Sequence, residues 1–169
     1  MFVVLEGPDC VGKTTLFGVL RRRLRAAFVP KLYLPRELWP VMPHVEKRCF
    51  ELIVAMYDPG RVYVCDRCVF TSAPVYDSLE GRSMLVDPAP WWSELRVLYL
   101  DAPLDVLRSR MTRGDEHIAV AKLARIRELY EALVLPNVEH VRLDARKPVE
   151  TLAQEAVGAV CTWCPEVVA

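Results

Sequence analysis

The run Gly7-Pro8-Asp9-Cys10-Val11-Gly12-Lys13-Thr14 satisfies the pattern G-x-x-x-x-G-K-[ST], and it sits between an apolar stretch and the start of a helical period. That placement constrains the chain more than any other feature. The glycines permit a tight turn whose backbone N–H groups, with the following helix N-terminus and its dipole, converge on a phosphate. Gly7, Asp9, Cys10, Val11 and Gly12 form the cradle. Lys13 is expected to reach the β- and γ-phosphates, Thr14 to offer its hydroxyl to Mg²⁺, and Thr15 to cap the loop or meet the α-phosphate. A triphosphate with Mg²⁺, ATP or GTP, is the expected ligand.

The rest of the chain alternates apolar runs with helical periods. Strands are predicted at residues 2–5, 31–34, 62–65, 97–100 and 138–143. Helices are predicted at 13–28, 44–57, 71–79, 104–111, 119–133 and 149–161. The stretch from 67 to 95 is the least regular and reads as a packed connection. Such alternation predicts an α/β three-layer sandwich: a doubly wound parallel sheet of about five strands flanked by helices, with ligands beyond the carboxyl ends of the strands. At 169 residues the chain fits a single domain spanning 1–169.

Charge narrows the classes of function. Lys and Arg number 22, as do Asp and Glu, for a formal net charge of zero. A broadly basic surface for nucleic acid or membrane is therefore not expected, and an anion must be held locally. The apolar run around Val97 to Leu100 is far shorter than the roughly 20 residues of a bilayer span, and no basic leader precedes the first strand, so a cytosolic protein is expected. The six cysteines then default to reduced thiols. Cys65 and Cys68, like Cys161 and Cys164, have C-x-x-C spacing, but the first pair closes a strand, where alternate side chains point to opposite faces, a poor start for a zinc knuckle.

A phosphate loop by itself leaves kinase, ATPase and switch GTPase open. A guanine reader of the form Asn-Lys-x-Asp is missing, since Asn137, the one asparagine, is followed by Val138 and Glu139. Phosphoryl transfer needs cations that spread over the equatorial oxygens of the transition state. Arg108, Arg110 and Arg113 form such a cluster just before a Gly114-Asp115 break, where a lid at about 108–118 is expected.

With these residues in view, the chain resembles the thymidylate kinase-like group of nucleoside and nucleotide kinases. Residues 2–15 look like that family's first strand, Glu-Gly-x-Asp element and phosphate loop. Arg36-Glu37 is similar to its Arg-Glu-Pro element, with Leu38 in place of proline. Asp66-Arg67, with Thr71, Ser72 and Tyr76 downstream, is similar to its Asp-Arg-Tyr motif, with Cys68 in place of the aromatic residue. Leu100-Asp101-Ala102-Pro103, the arginine cluster and the helix ending near Leu133 resemble the strand, lid and following helix. Residues 143–150 resemble the segment packed on adenine, which places Arg146 there. Cys10 stands where some relatives carry a catalytic arginine, leaving that charge to the lid.

The resemblance implies a P-loop NTPase type of fold and γ-phosphoryl transfer from ATP, with Mg²⁺, to a deoxynucleoside monophosphate, dTMP first. Asp9 would sit near the acceptor sugar and Arg67 would grip the acceptor phosphate. Asp66 would join Thr14 at the metal, and Lys13 with the lid arginines would hold the transition state. Arg36, Glu37, Ser72 and Tyr76 line the acceptor side, and Phe50 or Trp39 would stack on the base. Glu37 as a base on a 5′-hydroxyl would instead suit a deoxynucleoside kinase. A nucleotide-binding regulator without transferase activity is a third reading, and pairing with a second copy of the chain is left open.

Overall fold

A computed structural model of the chain describes residues 1–31, 40–58, 60–83, 87–112 and 119–167. The first strand, β1 (Phe2–Glu6), is buried along its whole length. Alternation along an extended backbone sends Val3 and Leu5 into one apolar cluster and Phe2 and Val4 into another. Each fully buried side chain of this size contributes about 1.5–3 kcal/mol, so both faces of β1 must be covered. On one face lie α1 (Lys13–Leu20), through Leu16 and Leu20, and α6 (Val149–Trp163), through Leu152 and Ala156. On the other lie α2 (Met42–Ala55), α3 (Val69–Leu79) and α5 (Val120–Leu129), through Phe50, Phe70 and Ile126.

The strands β2 (Ala27–Val29), β3 (Tyr63–Asp66), β4 (Leu95–Asp101) and β5 (Glu139–Asp144) complete a five-stranded sheet in the order β2-β3-β1-β4-β5. Every pairing is parallel. The register sets Leu5 beside Asp66 and Glu6 beside Tyr99, so Glu6, Asp66 and Asp101 end β1, β3 and β4 along one edge. The expected three-layer, doubly wound sheet is what forms.

Two elements differ most from the sequence expectation. The first helix ends at Leu20, eight residues before position 28, because Arg22 and Arg23 tighten onto the carbonyls of Val19 and Leu20 in a turn. The second strand is Ala27–Val29, not 31–34; Lys31 lies outside it and residues 32–34 lie outside the described residues. Pairing decides this: the Ala27 amide donates to the Val62 carbonyl at 2.8 Å, and Phe28 packs edge-on against Phe17 at 5.3 Å. Helical spacing of apolar residues cannot register a contact with a strand some 35 residues away.

The third helix starts at Val69, and Pro74 lies inside it. Proline has no N–H for the carbonyl four residues earlier. That carbonyl, on Phe70, is met instead by the indole N–H of Trp92 at 3.4 Å. Trp91 beside it stacks on Phe70 at 5.0 Å, so the residues just before β4 pack on α3. Among the described residues no helix is long and apolar enough to cross a membrane.

Gly7 locks the loop end of β1 against β4. Its φ is +137°, and a Cβ there would lie 2.2 Å from the Leu100 carbonyl oxygen, a backbone atom that cannot swing aside. Gly7→Ala is expected to lower stability by about 3 kcal/mol, whereas Gly18→Ala, in α1 with nothing within 4 Å of the new methyl group, should raise it by about 0.5–1 kcal/mol. Urea unfolding of the two variants checks the contrast.

Candidate functional site

The turn after β1 follows from its unusual backbone angles. Gly7 and Gly12 have φ of +137° and +104°, and Cys10, at +63°, takes a left-handed conformation unusual for a residue with a Cβ. The Gly12 carbonyl accepts from the Leu16 amide at 3.0 Å and so opens α1. No side chain caps this N-terminus and no acidic residue lies in its first turn, leaving its amides and dipole facing the loop. Lys13 is buried within the turn, its Nζ donating to the Gly7 carbonyl at 3.0 Å and the Pro8 carbonyl at 2.6 Å. Burial, with the Arg67 charge acting in the same direction, lowers its pKa to about 7.

Thr14 and Asp66 meet across the gap between α1 and β3. The Thr14 hydroxyl donates to Asp66 Oδ2 at 2.7 Å. The other oxygen, Oδ1, is buried with no hydrogen-bond partner. A buried carboxylate oxygen without a donor is costly unless a cation or water completes it. A hydroxyl and a carboxylate together are hard oxygen donors, the kind Mg²⁺ takes.

Arg67 is the centre of the site. It follows β3 with φ of +70°, strained for a residue with a side chain. Its guanidinium is 5% exposed and bonds on several sides. Nη1 donates to Glu6 Oε2 at 3.1 Å and to the Tyr130 hydroxyl at 3.0 Å, and Nη2 donates to Asp9 Oδ1 at 2.6 Å. The Tyr76 ring lies 5.3 Å from its central carbon. Glu6 is fully buried and also accepts from the hydroxyls of Tyr130 at 2.6 Å and Thr71 at 2.7 Å. Burial alone would favour discharging Arg67; Tyr76, Tyr130, Asp9 and Glu6 around it reverse this and keep it charged. Burial likewise pushes Asp9 upward, but Arg67 and then Lys13 outweigh it and hold the carboxyl at about 2.

Arg67 also lines a cavity walled by Val29, Phe50, Ile53, Cys65 and Val69. Phe50, expected as a base platform, is 4% exposed and packs edge-on against Phe70 and Trp91 at 4.3 and 5.3 Å, so it forms part of this wall from within an aromatic cluster. Ser72 bonds the Cys68 carbonyl at 2.8 Å in the first turn of α3, while Tyr76 reaches Asp9 at 3.2 Å. Burial pushes the Cys65 thiol up to about 12, so it stays protonated. Thr15 is exposed on α1. Arg146 is exposed and engaged with Asp144 at 2.7 Å.

The expected lid arginines separate. Arg108, in the last turn of α4 (Leu104–Ser109), is exposed and its side chain has no hydrogen bond or ion pair among the described residues. Arg110, also exposed, lays its side chain back on the protein and donates to the carbonyls of Val11 and Ala145 at 3.1 and 2.7 Å. Arg36, Glu37, Trp39 and Arg113 lie outside the described residues. Arg67, expected from sequence to grip an acceptor phosphate, is itself held by Glu6 and Asp9.

Two residues of this network carried no role in the sequence reading. Glu6 shares the β1 face of Phe2 and Val4, and a carboxylate on a face that is otherwise apolar must find a buried partner. Tyr130 continues the buried Leu123 and Ile126 face of α5. It opens a π-helical turn, Tyr130–Val134, an element frequent at functional sites.

No protein-family model matches the chain. It is similar to the SPbeta prophage-derived uncharacterized protein YorR of Bacillus subtilis (strain 168), 25% identical over 139 residues that span 78% of this chain and 81% of YorR. The crystal structure of YorR in complex with phosphorylated GDP superposes with a TM-score of 0.68 at 23% identity, covering 95% of each chain. Deoxyadenosine kinase from M. mycoides with bound dATP superposes at 0.63 and 15% identity, over 95% of this chain and 99% of that one. A sugar kinase from Janibacter sp. HTCC2649 follows at 0.56 and 19% identity, over 94% and 93%. At such identities the likeness establishes the fold, an α/β P-loop NTPase fold that this chain shares with kinases.

The depressed pKa of Lys13 has a measurable sign. An unfolded lysine keeps its proton up to 10.5, whereas folded Lys13 releases it near 7. The unfolded state therefore binds the extra proton between these values, and stability should rise with pH across that window. Urea midpoints from pH 6.5 to 9.5 test this, with the Lys13 contribution absent in Lys13→Met.

Proposed function

We propose that the chain is an ATP-dependent nucleoside or nucleotide kinase, with a deoxynucleoside monophosphate, dTMP first, as acceptor. The observation that carries this reading is the setting of Arg67. A guanidinium has five N–H donors. The bonds to Glu6, Tyr130 and Asp9 engage both protons of Nη1 and one of Nη2, leaving, among the described residues, one N–H each on Nε and Nη2, the two nitrogens that share the edge away from Nη1. Such an edge matches two oxygens of a phosphate. It belongs to a residue on the cavity wall, and Asp9 joins that residue directly to the phosphate loop.

In this reading the amides of the loop and of the α1 N-terminus hold the donor's phosphates, and Lys13 leaves the Gly7 and Pro8 carbonyls to contact them. Arg67 orients the acceptor, so that its oxygen and the γ-phosphorus are held in line, the main source of rate in a reaction with little covalent work for the protein. Arg108, with its donors free, is the described lid arginine suited to neutralise charge at the transferring group. Thr14 and Asp66 would hold Mg²⁺, which when bound offsets the charge of the phosphate oxygens. The likeness to kinases with full-length coverage supports the same reading.

A second reading, a deoxynucleoside kinase, is favoured by one observation. Glu6 and Asp9 together offset more charge than Arg67 carries, so the guanidinium does not demand an anion, and an uncharged 5′-hydroxyl fits the same edge. The likeness to a deoxyadenosine kinase agrees with it.

A panel of deoxynucleosides, their monophosphates and simple sugars, incubated with Mg–ATP and read by mass spectrometry, separates these readings. Phosphorylation of monophosphates, dTMP foremost, is the expected outcome; phosphorylation of nucleosides alone would select the second. Arg67→Lys, which keeps the charge and loses the fork, should reduce kcat/KM for the acceptor on the order of 100-fold, with affinity for the triphosphate unchanged.

A further inference from the structure

We propose that Arg110 is a positioning residue that fixes the orientation of one peptide plane in the phosphate loop, the Val11–Gly12 peptide. This inference rests on the reading of the loop as a triphosphate cradle. Arg110 immediately follows α4, and its two terminal nitrogens divide between the Val11 carbonyl at 3.1 Å and the Ala145 carbonyl at 2.7 Å. One planar fork thereby ties the loop after β1 to the turn after β5. That turn is itself firm: Ala145 is buried and its amide donates to the Asp101 carbonyl at 2.8 Å.

A trans peptide is flat, with its C=O and N–H on opposite sides. A Val11 carbonyl drawn toward Arg110 therefore turns the Gly12 N–H the other way, away from α4. The next carbonyl, that of Gly12, is already committed to the Leu16 amide. With both carbonyls engaged, the successive N–H groups of Gly12 and Lys13 are left for an anion, the arrangement of a backbone nest.

Among the described residues no other side chain bonds the Val11 carbonyl. The Val11 side chain is 1% exposed and anchors its own Cα, but Gly12 has no Cβ to resist a rotation of the plane. At its φ of +104° even an added Cβ would meet nothing within 4 Å. A flipped plane would aim the Val11 carbonyl oxygen at the phosphate and lose the Gly12 donor. Arg110, by holding that oxygen with a charged donor, removes the alternative before the ligand arrives. Its terminal donors point at backbone oxygens, which separates it from Arg108, whose side chain has no partner among the described residues.

The test uses wild type, Arg110→Ala and Arg110→Lys, with affinity for a fluorescent ATP analogue plus Mg²⁺, steady-state kinetics, and melting temperature with and without Mg–ATP. Arg110→Ala should weaken triphosphate binding and raise its KM on the order of tenfold, while kcat and the acceptor KM change little. Arg110→Lys, able to reach one carbonyl at a time, should fall between. The rise in melting temperature caused by Mg–ATP should shrink in the same order, a comparison that holds even if Arg110→Ala is less stable. A fall in kcat with triphosphate affinity intact, or no change in either, overturns the positioning role. Wild type that binds no triphosphate overturns the reading of the loop itself, a result distinct from wild-type binding that the variants retain unchanged.

Discussion

The buried ion pair between Glu6 and Arg67 is the interaction on which the rest of this structure depends. It joins the end of β1 to the start of the β3–α3 connection, and Tyr130 and Thr71 close around it from the π-helical turn after α5 and from α3. Removing one partner of such a pair strands a charge in the interior, at about 3–5 kcal/mol. The pair also maintains the left-handed backbone at Arg67, which an isolated turn would not keep. A strained residue held from several elements is a rigid residue, and rigidity is what the acceptor-orienting role proposed for it would require.

Asp9 carries that rigidity into the phosphate loop. Its carboxylate takes Arg67 on one side and Tyr76 on the other, so the loop is referenced to the cavity wall. Gly7 presses on the Leu100 carbonyl and Arg110 holds the Val11 carbonyl, referencing the same loop to β4 and to the turn after β5. A chain with no net charge thus concentrates Lys13 and Arg67 at one edge of the sheet and surrounds them with Glu6, Asp9 and Asp66. The charges at this edge are offset locally, within a few side chains, and not by a basic surface.

How much of this could be read from the residues differs by part. The loop at 7–14, the two-faced burial of β1 and the parallel sheet were legible, because each is written in local spacing. The end of α1 and the position of β2 were not, since apolar residues at 24 and 28 suit a helical period as well as they suit a turn and a strand; the Ala27–Val62 pairing decided between them. Of the arginine cluster, spacing predicted a shared task, while the fold turned Arg110 onto backbone carbonyls and left Arg108 in solvent. Glu6 entered only as the first residue of the Glu-Gly-x-Asp element, with no role, and only its neighbours on the apolar face of β1 hinted at a buried partner.

By itself, then, the sequence determined that a strand would feed a glycine turn and a helix, and that such units would stack as an α/β sheet, because those features depend on residues within a few positions of one another. The tertiary structure decided which charges meet. Glu6 lies 61 positions from Arg67 and 124 from Tyr130, and Arg110 lies 99 from Val11 and 35 from Ala145. Partners so distant are chosen by strand order and helix packing, which bring the ends of β1, β3 and β5 together, and no local pattern of residue types records that choice.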